Sequence, residues 1–225
     1  MAFDDINTII FDFDGTLATC PYDFTHMRQS ILETAEAFGL AREALTGFGL
    51  LEAVAEGARL LADSGRAEAF RVVAMERLGA IEYEAAAKTR LLPGILDALA
   101  GMHARGYRMG VVTRNSSAAV RLILGEVRLP VEVILCREDV ARPKPHIDHV
   151  HQVLRHLDAR PEHGLMVGDH PTDIRMGKDA GMATVAVLTG QTGEADLRAA
   201  APDLLLPSVL VLAELLPQAS KQNRR

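Results

Sequence analysis

The sequence predicts an α/β protein in which helices cover both faces of a parallel sheet and a helical subdomain interrupts the chain after the first strand. Three observations carry this. Six short apolar or β-branched runs, bounded by Gly, Pro or charged residues, recur along the chain with helical or loop stretches between the later ones. These runs are almost continuously apolar, as strands buried on both faces must be. One interval, between the first run and the second, is far too long for a simple crossover connection.

The six runs are TIIFDF (8–13), YRMGVVT (107–113), VEVILC (131–136), LMVGD (165–169), ATVAVL (183–188) and DLLL (203–206). The long interval reads as helix. FTHMRQSILETAEAFG (24–39) places Phe24, Met27, Ile31, Ala35 and Phe38 on one face and stops at Gly39. REALTGFGLLEAVAEGARLLADSG (42–65) and AEAFRVVAMERLG (67–79) are rich in helix formers, show no strand alternation and each end at a glycine. The expected division is a core from residues 1–18 and 91–225 and a helical insertion over 19–90, within the usual range for a small domain. The tail SKQNRR (220–225) is expected to fray.

Composition narrows the function. With 225 residues and 48% hydrophobic content the chain has material for a large core, and its net charge of −6 argues against a broad basic surface for nucleic acid. LLLPSVLVLAELL (204–216) is broken by Pro207 and Glu214 and is too short to span a bilayer. The start MAFDDINTIIF is acidic where a secretory leader would be basic, so a cytoplasmic location is expected. Cys20 and Cys136, far apart and in no metal-ligand spacing, read as unpaired structural thiols in a reducing compartment. Oligomeric state is not readable from the sequence.

The polar residues converge. Ligands of an open parallel sheet bind beyond the carboxyl ends of its strands. Asp12 and Asp14 end the first run, Thr113 the second, and Gly168 and Asp169 the fourth, while Lys144 lies in ARPKPH (141–146) just beyond the third. Pro143 and Pro145 restrict the backbone around Lys144, which suits a fixed phosphate clamp. Histidines 146, 149, 151 and 156 read as a solvated helix face in preference to a metal site.

DFDGTL (12–17), VVTRN (111–115), RPKP (142–145) and GDHPTD (168–173) match four motifs of the haloacid dehalogenase superfamily in order and spacing. The chain resembles that family over nearly its whole length, and is similar to its phosphoglycolate phosphatase branch; the helical interval corresponds to the family's cap. The resemblance implies a Rossmann-like three-layer parallel-sheet core with an inserted α-helical cap, and a phosphatase acting on a small phosphorylated metabolite. Asp12 is then the nucleophile that forms an aspartyl-phosphate, and Asp14 the general acid-base. Thr113 and Lys144 complete the catalytic set. Phe13, Arg114 and Asn115 are expected to hold the phosphoryl group, partly through backbone N–H groups, and Tyr22 and Arg28 to select the substrate, with His26 nearby.

Asp12, Asp14, Asp169 and Asp173 are the expected metal ligands, Asp14 through its backbone carbonyl. Carboxylates about 4 Å apart repel by roughly 4 kcal/mol at an effective dielectric of 20, which a hard cation and Lys144 would offset. An all-oxygen donor set favours Mg2+ over zinc. His170, inside the fourth motif, is placed either near the metal's waters or at the surface. Dehalogenases lack the second acid, so Asp14 favours phosphate chemistry; phosphonatases need an early cap lysine, and the first lysine before Lys144 is Lys88. A β-phosphoglucomutase-like sugar phosphomutase shares all four motifs and is the alternative. A non-enzymatic binding module would show decay at these positions, and none is visible.

Overall fold

Among the described residues, short runs of Val, Ile, Leu, Met and Phe between polar stops form six strands of one all-parallel sheet. In the computed structural model, which describes residue 3 and residues 5–219, the strands are β1 (Thr8–Phe11), β2 (Arg108–Val112), β3 (Val133–Leu135), β4 (Gly164–Gly168), β5 (Ala183–Val187) and β6 (Leu204–Leu206). Their order is β3-β2-β1-β4-β5-β6, which puts β1 and β4 at the centre, side by side. The chain therefore reverses its direction of growth next to β1, the place where open α/β sheets bind ligands. Residues 220–225, expected to fray, lie outside the described residues.

Alternate side chains of each strand feed two layers. Ile9, Phe11, Met109, Val111, Leu165 and Val167 join Leu99 and Met102 of α4 (Ile95–Ala104), Val120 of α5 (Ser117–Leu124) and Leu212 of α9 (Val209–Leu215). Ile10, Val112, Leu135 and Met166 face the other way, onto Val150, Val153 and Leu154 of α6 (Asp148–His156) and Met176 of α7 (Pro171–Asp179). A smaller cluster joins Ile174 and Ala186 to Leu197 of α8 (Glu194–Ala199). Gly177 lets α7 approach β4 closely, since a methyl group there would strike Met166 and Thr184.

The chain divides into two compact units, one comprising the residues up to Cys20 and from Thr89 onward, the other Pro21–Lys88. The second is entirely helical: α1 (Phe24–Ala37), α2 (Leu50–Leu60) and α3 (Ala67–Ala86) bury Met27, Ile31, Ala35, Val54, Phe70, Ala74 and Leu78. Phe38 and Phe70 meet edge to face at 5.6 Å, and Gly57 makes room for the Phe70 ring.

Three sequence expectations need correction in this unit. Phe24 is the first residue of α1 and is 48% exposed, so it does not share the buried face of Met27, Ile31 and Ala35. The segment 42–65 is not continuous helix: a 3-10 turn over Arg42–Leu45 precedes α2, which starts after Gly49. Helix α3 does not stop at Gly79 but runs on to Ala86, since the formers that follow outweigh the cost of about 1 kcal/mol for one interior glycine.

Among the described residues no helix is long and apolar enough to cross a membrane. Cys136 is a buried free thiol that burial pushes up to about 11, whereas Cys20 is half-buried.

Candidate active site

The site grows from the ends of the two central strands. Strand β1 stops at Phe11, but the Asp12 N–H still reaches the Val167 carbonyl at 2.8 Å, so Asp12 stays in register with β4. The chain then reverses. Gly15, at φ 85°, donates to the Ala18 carbonyl at 2.8 Å, and the Phe13 carbonyl accepts the N–H groups of Leu17 and Ala18. Phe13 is anchored by a fully buried ring.

Asp169 follows β4, and Asp173 lies in the first turn of α7. The Asp173 carboxylate accepts the His170 backbone N–H at 3.2 Å, while the His170 ring accepts the N–H of Thr172. Gly168 is needed at this corner, because a side chain there would collide with Asp173. Carboxylate oxygens of Asp12, Asp169 and Asp173 lie within 4.8 Å of one another, all three groups buried. Unit charges at that separation repel by about 3.5 kcal/mol at an effective dielectric near 20.

Lys144 enters from the loop between β3 and α6. Its buried ammonium pairs with Asp12 Oδ1 and, at 3.0 Å, with Asp173 Oδ1. The Thr16 hydroxyl lies between Asp12 and Asp169, at 3.5 and 3.4 Å. One ammonium thus faces three carboxylates. Burial, and then the charges of Asp12 and Asp173, push Asp169 up to about 9; burial, partly offset by Lys144, pushes Asp173 up to about 6. Burial alone would lower the Lys144 ammonium, but Asp12 and Asp173 outweigh it and raise it. A buried all-oxygen cluster with this excess of negative charge fits a hard divalent cation.

Asp14 stands apart from that cluster. Its carboxylate accepts the Thr113 hydroxyl at 3.2 Å and the Asn115 side-chain amide at 3.2 and 3.3 Å. The Asn115 backbone N–H, expected to face a phosphoryl oxygen, instead donates to Thr113 Oγ1 at 3.0 Å. The hydroxyl of Thr113 has one proton and gives it to Asp14, so a contact from it to a phosphoryl oxygen requires that bond to be exchanged. Arg114 is half-buried, and Arg137 secures the loop by donating to the carbonyls of Arg114 (side chain, 3.2 Å) and Asn115 (backbone, 3.3 Å).

The structure thus brings together Asp12, Asp14, Thr113, Asn115, Lys144, Asp169 and Asp173 within the sheet-bearing unit. Tyr22 and Arg28 belong to the Pro21–Lys88 unit, where Tyr22 is buried beside Phe24 and the Arg28 guanidinium donates to the Phe48 carbonyl. His170 is exposed at the surface of the loop, and partial desolvation of its ring together with the Lys144 charge lowers its pKa.

Two residues were missed by the sequence reading. Gly190, in the loop after β5, lies against Asp169: a Cβ there would fall inside the Asp169 carboxylate. Thr189 ties that loop to the first motif, its hydroxyl donating to the Gly15 carbonyl at 2.6 Å. His149 is not on a solvated face as expected but fully buried, while His146 and His151 are half-buried and His156 is exposed. Burial and the Lys144 charge lower His149 to about 4, so it is neutral at physiological pH. Its pKa in the folded chain is below the ordinary 6.5. The stability it contributes is therefore complete above that value and is lost as the pH falls through 4. The stability advantage of wild type over His149→Phe is expected to shrink as pH falls from 7 to 4; a constant difference in denaturant melts would contradict this.

A parallel sheet with this strand order, a helical insertion after β1 and carboxylates gathered at the ends of β1 and β4 define a class of hydrolase. The family model described as haloacid dehalogenase-like hydrolase matches residues 9–187, and the chain belongs to that family. Among curated relatives, Pyrophosphatase PpaX of Bacillus thuringiensis (strain Al Hakam) is 38% identical over 122 residues, which is 53% of this chain and 55% of the relative. The match thus spans only about half the length of the curated relatives. CbbY from Rhodobacter sphaeroides, solved in complex with phosphate, is 29% identical with a TM-score of 0.61, over 92% of this chain and 96% of CbbY. A predicted phosphoglycolate phosphatase from Haemophilus somnus 129PT shares the fold at a TM-score of 0.67 and 21% identity, over 94% of this chain and 98% of that one.

Proposed function

We propose that the protein is a Mg2+-dependent phosphatase that hydrolyses a small phosphorylated metabolite through an aspartyl-phosphate on Asp12. The observation that carries this reading is the buried Asp12 carboxylate, paired with Lys144 and grouped with Asp169 and Asp173, beside a second acid held on a separate hydrogen-bond network. Support for a phosphate ester as ligand comes from the relatives: CbbY is bound to phosphate, and a variant of it to xylulose-1,5-bisphosphate.

Carboxylates of Asp12, Asp169 and Asp173, with the backbone carbonyl of Asp14, would hold the cation, which when bound neutralises the phosphoryl charge that otherwise repels a carboxylate nucleophile. Lys144 orients Asp12 and shields its charge from the incoming phosphate. Asp12 attacks phosphorus, and the ester oxygen leaves with a proton from Asp14. Asp14 then takes a proton from the water that attacks the phosphorus of the acyl phosphate, which regenerates the Asp12 carboxylate and releases inorganic phosphate. Thr113 and Asn115 fix the direction of the Asp14 carboxylate through both steps. The backbone near Phe13 and the loop at Arg114 complete the phosphoryl cradle. Recognition of the rest of the metabolite we assign to the Pro21–Lys88 unit, with Tyr22 and Arg28 as candidates, and the location to the cytoplasm.

A phosphate-release screen against small phosphomonoesters, with Mg2+ and with chelator, tests the reading. Metal-dependent release from at least one ester is the expected result. Isomerisation of a sugar phosphate without release would move the assignment to a mutase, and silence in both assays would contradict the enzymatic reading altogether. Gly190→Ala is expected to lower release about 10- to 100-fold, because the methyl group displaces Asp169. Unchanged kcat/KM in that variant would show that Asp169 does not need its present position.

A further inference from the structure

A lysine ammonium rides on a flexible four-carbon stem, so its placement between two carboxylates depends on how firmly its own backbone is held. Lys144 lies outside regular secondary structure, between β3 and α6. Its neighbours Pro143 and Pro145 have no backbone N–H, which leaves the Lys144 N–H as the donor of this tripeptide. That N–H donates to Nδ1 of His149 at 3.1 Å.

The acceptor role settles the tautomer. A backbone N–H can only donate, so Nδ1 carries no proton and Nε2 carries one. Nε2 lies 3.0 Å from the carbonyl of Leu135, the last residue of β3, and donates to it. The same carbonyl accepts the backbone N–H of Thr113 at 3.1 Å. One fully buried imidazole thus links the Lys144 backbone to the carbonyl that also registers Thr113 against β3. Burial and the neighbouring Lys144 charge keep the ring neutral, as this double role requires.

We propose that His149 is a positioning residue for Lys144: its neutral imidazole fixes the lysine backbone against the end of β3, so that the ammonium meets Asp12 and Asp173. The activity part of the test rests on the phosphatase reading, but the structural part does not. Asn at 149 offers an acceptor near the position of Nδ1 but falls short of Leu135; Gln offers a donor near the position of Nε2 but no acceptor for Lys144. Each removes one buried hydrogen bond, so both are expected to lower the melting temperature to a similar extent.

Two measurements on the full-length chain separate the roles. Backbone hydrogen exchange can be followed residue by residue by NMR, and within residues 143–145 the single exchanging amide is that of Lys144. Protection of this amide is expected in wild type and His149→Asn and its loss in His149→Gln. Phosphate release is expected to fall no more than a few-fold in His149→Asn and about 100-fold in His149→Gln. The proposal is overturned if Lys144 exchanges equally in both variants, or if activity follows melting temperature irrespective of the acceptor. Should wild type release no phosphate, the phosphatase reading fails, while the exchange pattern still decides whether His149 holds Lys144.

Discussion

Asp12→Asn is expected to reduce phosphate release by about 10⁴-fold or more while leaving the metal-free protein at least as stable as wild type. The two effects have one cause. The carboxylate oxygen is the attacking atom in the proposed reaction, and an amide is too poor a nucleophile to replace it. The same carboxylate is one of three buried within 4.8 Å, and it helps push Asp169 up to about 9, so its removal relieves repulsion. Lys144 keeps a partner in Asp173 at 3.0 Å, so the ammonium is not stranded. Activity assays and thermal melts in chelator check the pair. An inactive variant that is also markedly less stable would show loss of fold instead of loss of chemistry, whereas an active variant would remove Asp12 from the reaction.

Lys144→Met is expected to abolish activity and, unlike Asp12→Asn, to destabilise the fold in chelator by about 3–5 kcal/mol. Methionine fills much of the lysine stem's volume but leaves Asp12 and Asp173 buried without their ion pair. The raised pKa of Lys144 shows how strongly the two carboxylates favour the ammonium in the folded state. Divalent metal should recover part of this stability, because it also offsets the carboxylates, but not the activity. Equal stability of Lys144→Met and wild type in denaturant melts would mean that the carboxylates protonate at negligible cost and that the lysine is not needed to hold them.

Only one of the two variants is expected to lose stability although each breaks the same ion pair. The outcome depends on whether the deletion lowers or raises the unbalanced negative charge.

Much of this site was legible because strand-end residues are fixed by topology. Once the six apolar runs are paired as parallel strands, Asp12, Thr113 and Asp169 must fall on the same sheet edge. Lys144 was legible through its flanking prolines. What the sequence does not show is the choice of partner at close range. Thr113 and Asn115 turn to Asp14, a decision made by side-chain rotamers over distances near 3 Å. Gly190 carries no local signal, since its role depends on a carboxylate that arrives from another strand end.

The burial of His149 is legible in the helix periodicity, against the solvated face expected of its histidine neighbours. Four histidines within eleven residues suggested a wet face, yet residues 149, 150, 153, 154 and 157 follow the apolar spacing of a helix, and all five are buried. The periodicity was the stronger signal than the polarity of imidazole, because a neutral histidine with both nitrogens bonded is readily buried.

In the proposed reaction the phosphoryl group passes through Asp12. The most direct test mixes enzyme with its preferred phosphomonoester in Mg2+, quenches within the first turnover, reduces with borohydride and maps the peptides by mass spectrometry. Reduction of an acyl phosphate converts aspartate to homoserine, so the account predicts homoserine at position 12, dependent on both substrate and metal. Homoserine at Asp14 or Asp169 instead, or an unmodified Asp12 under conditions of rapid phosphate release, would contradict it.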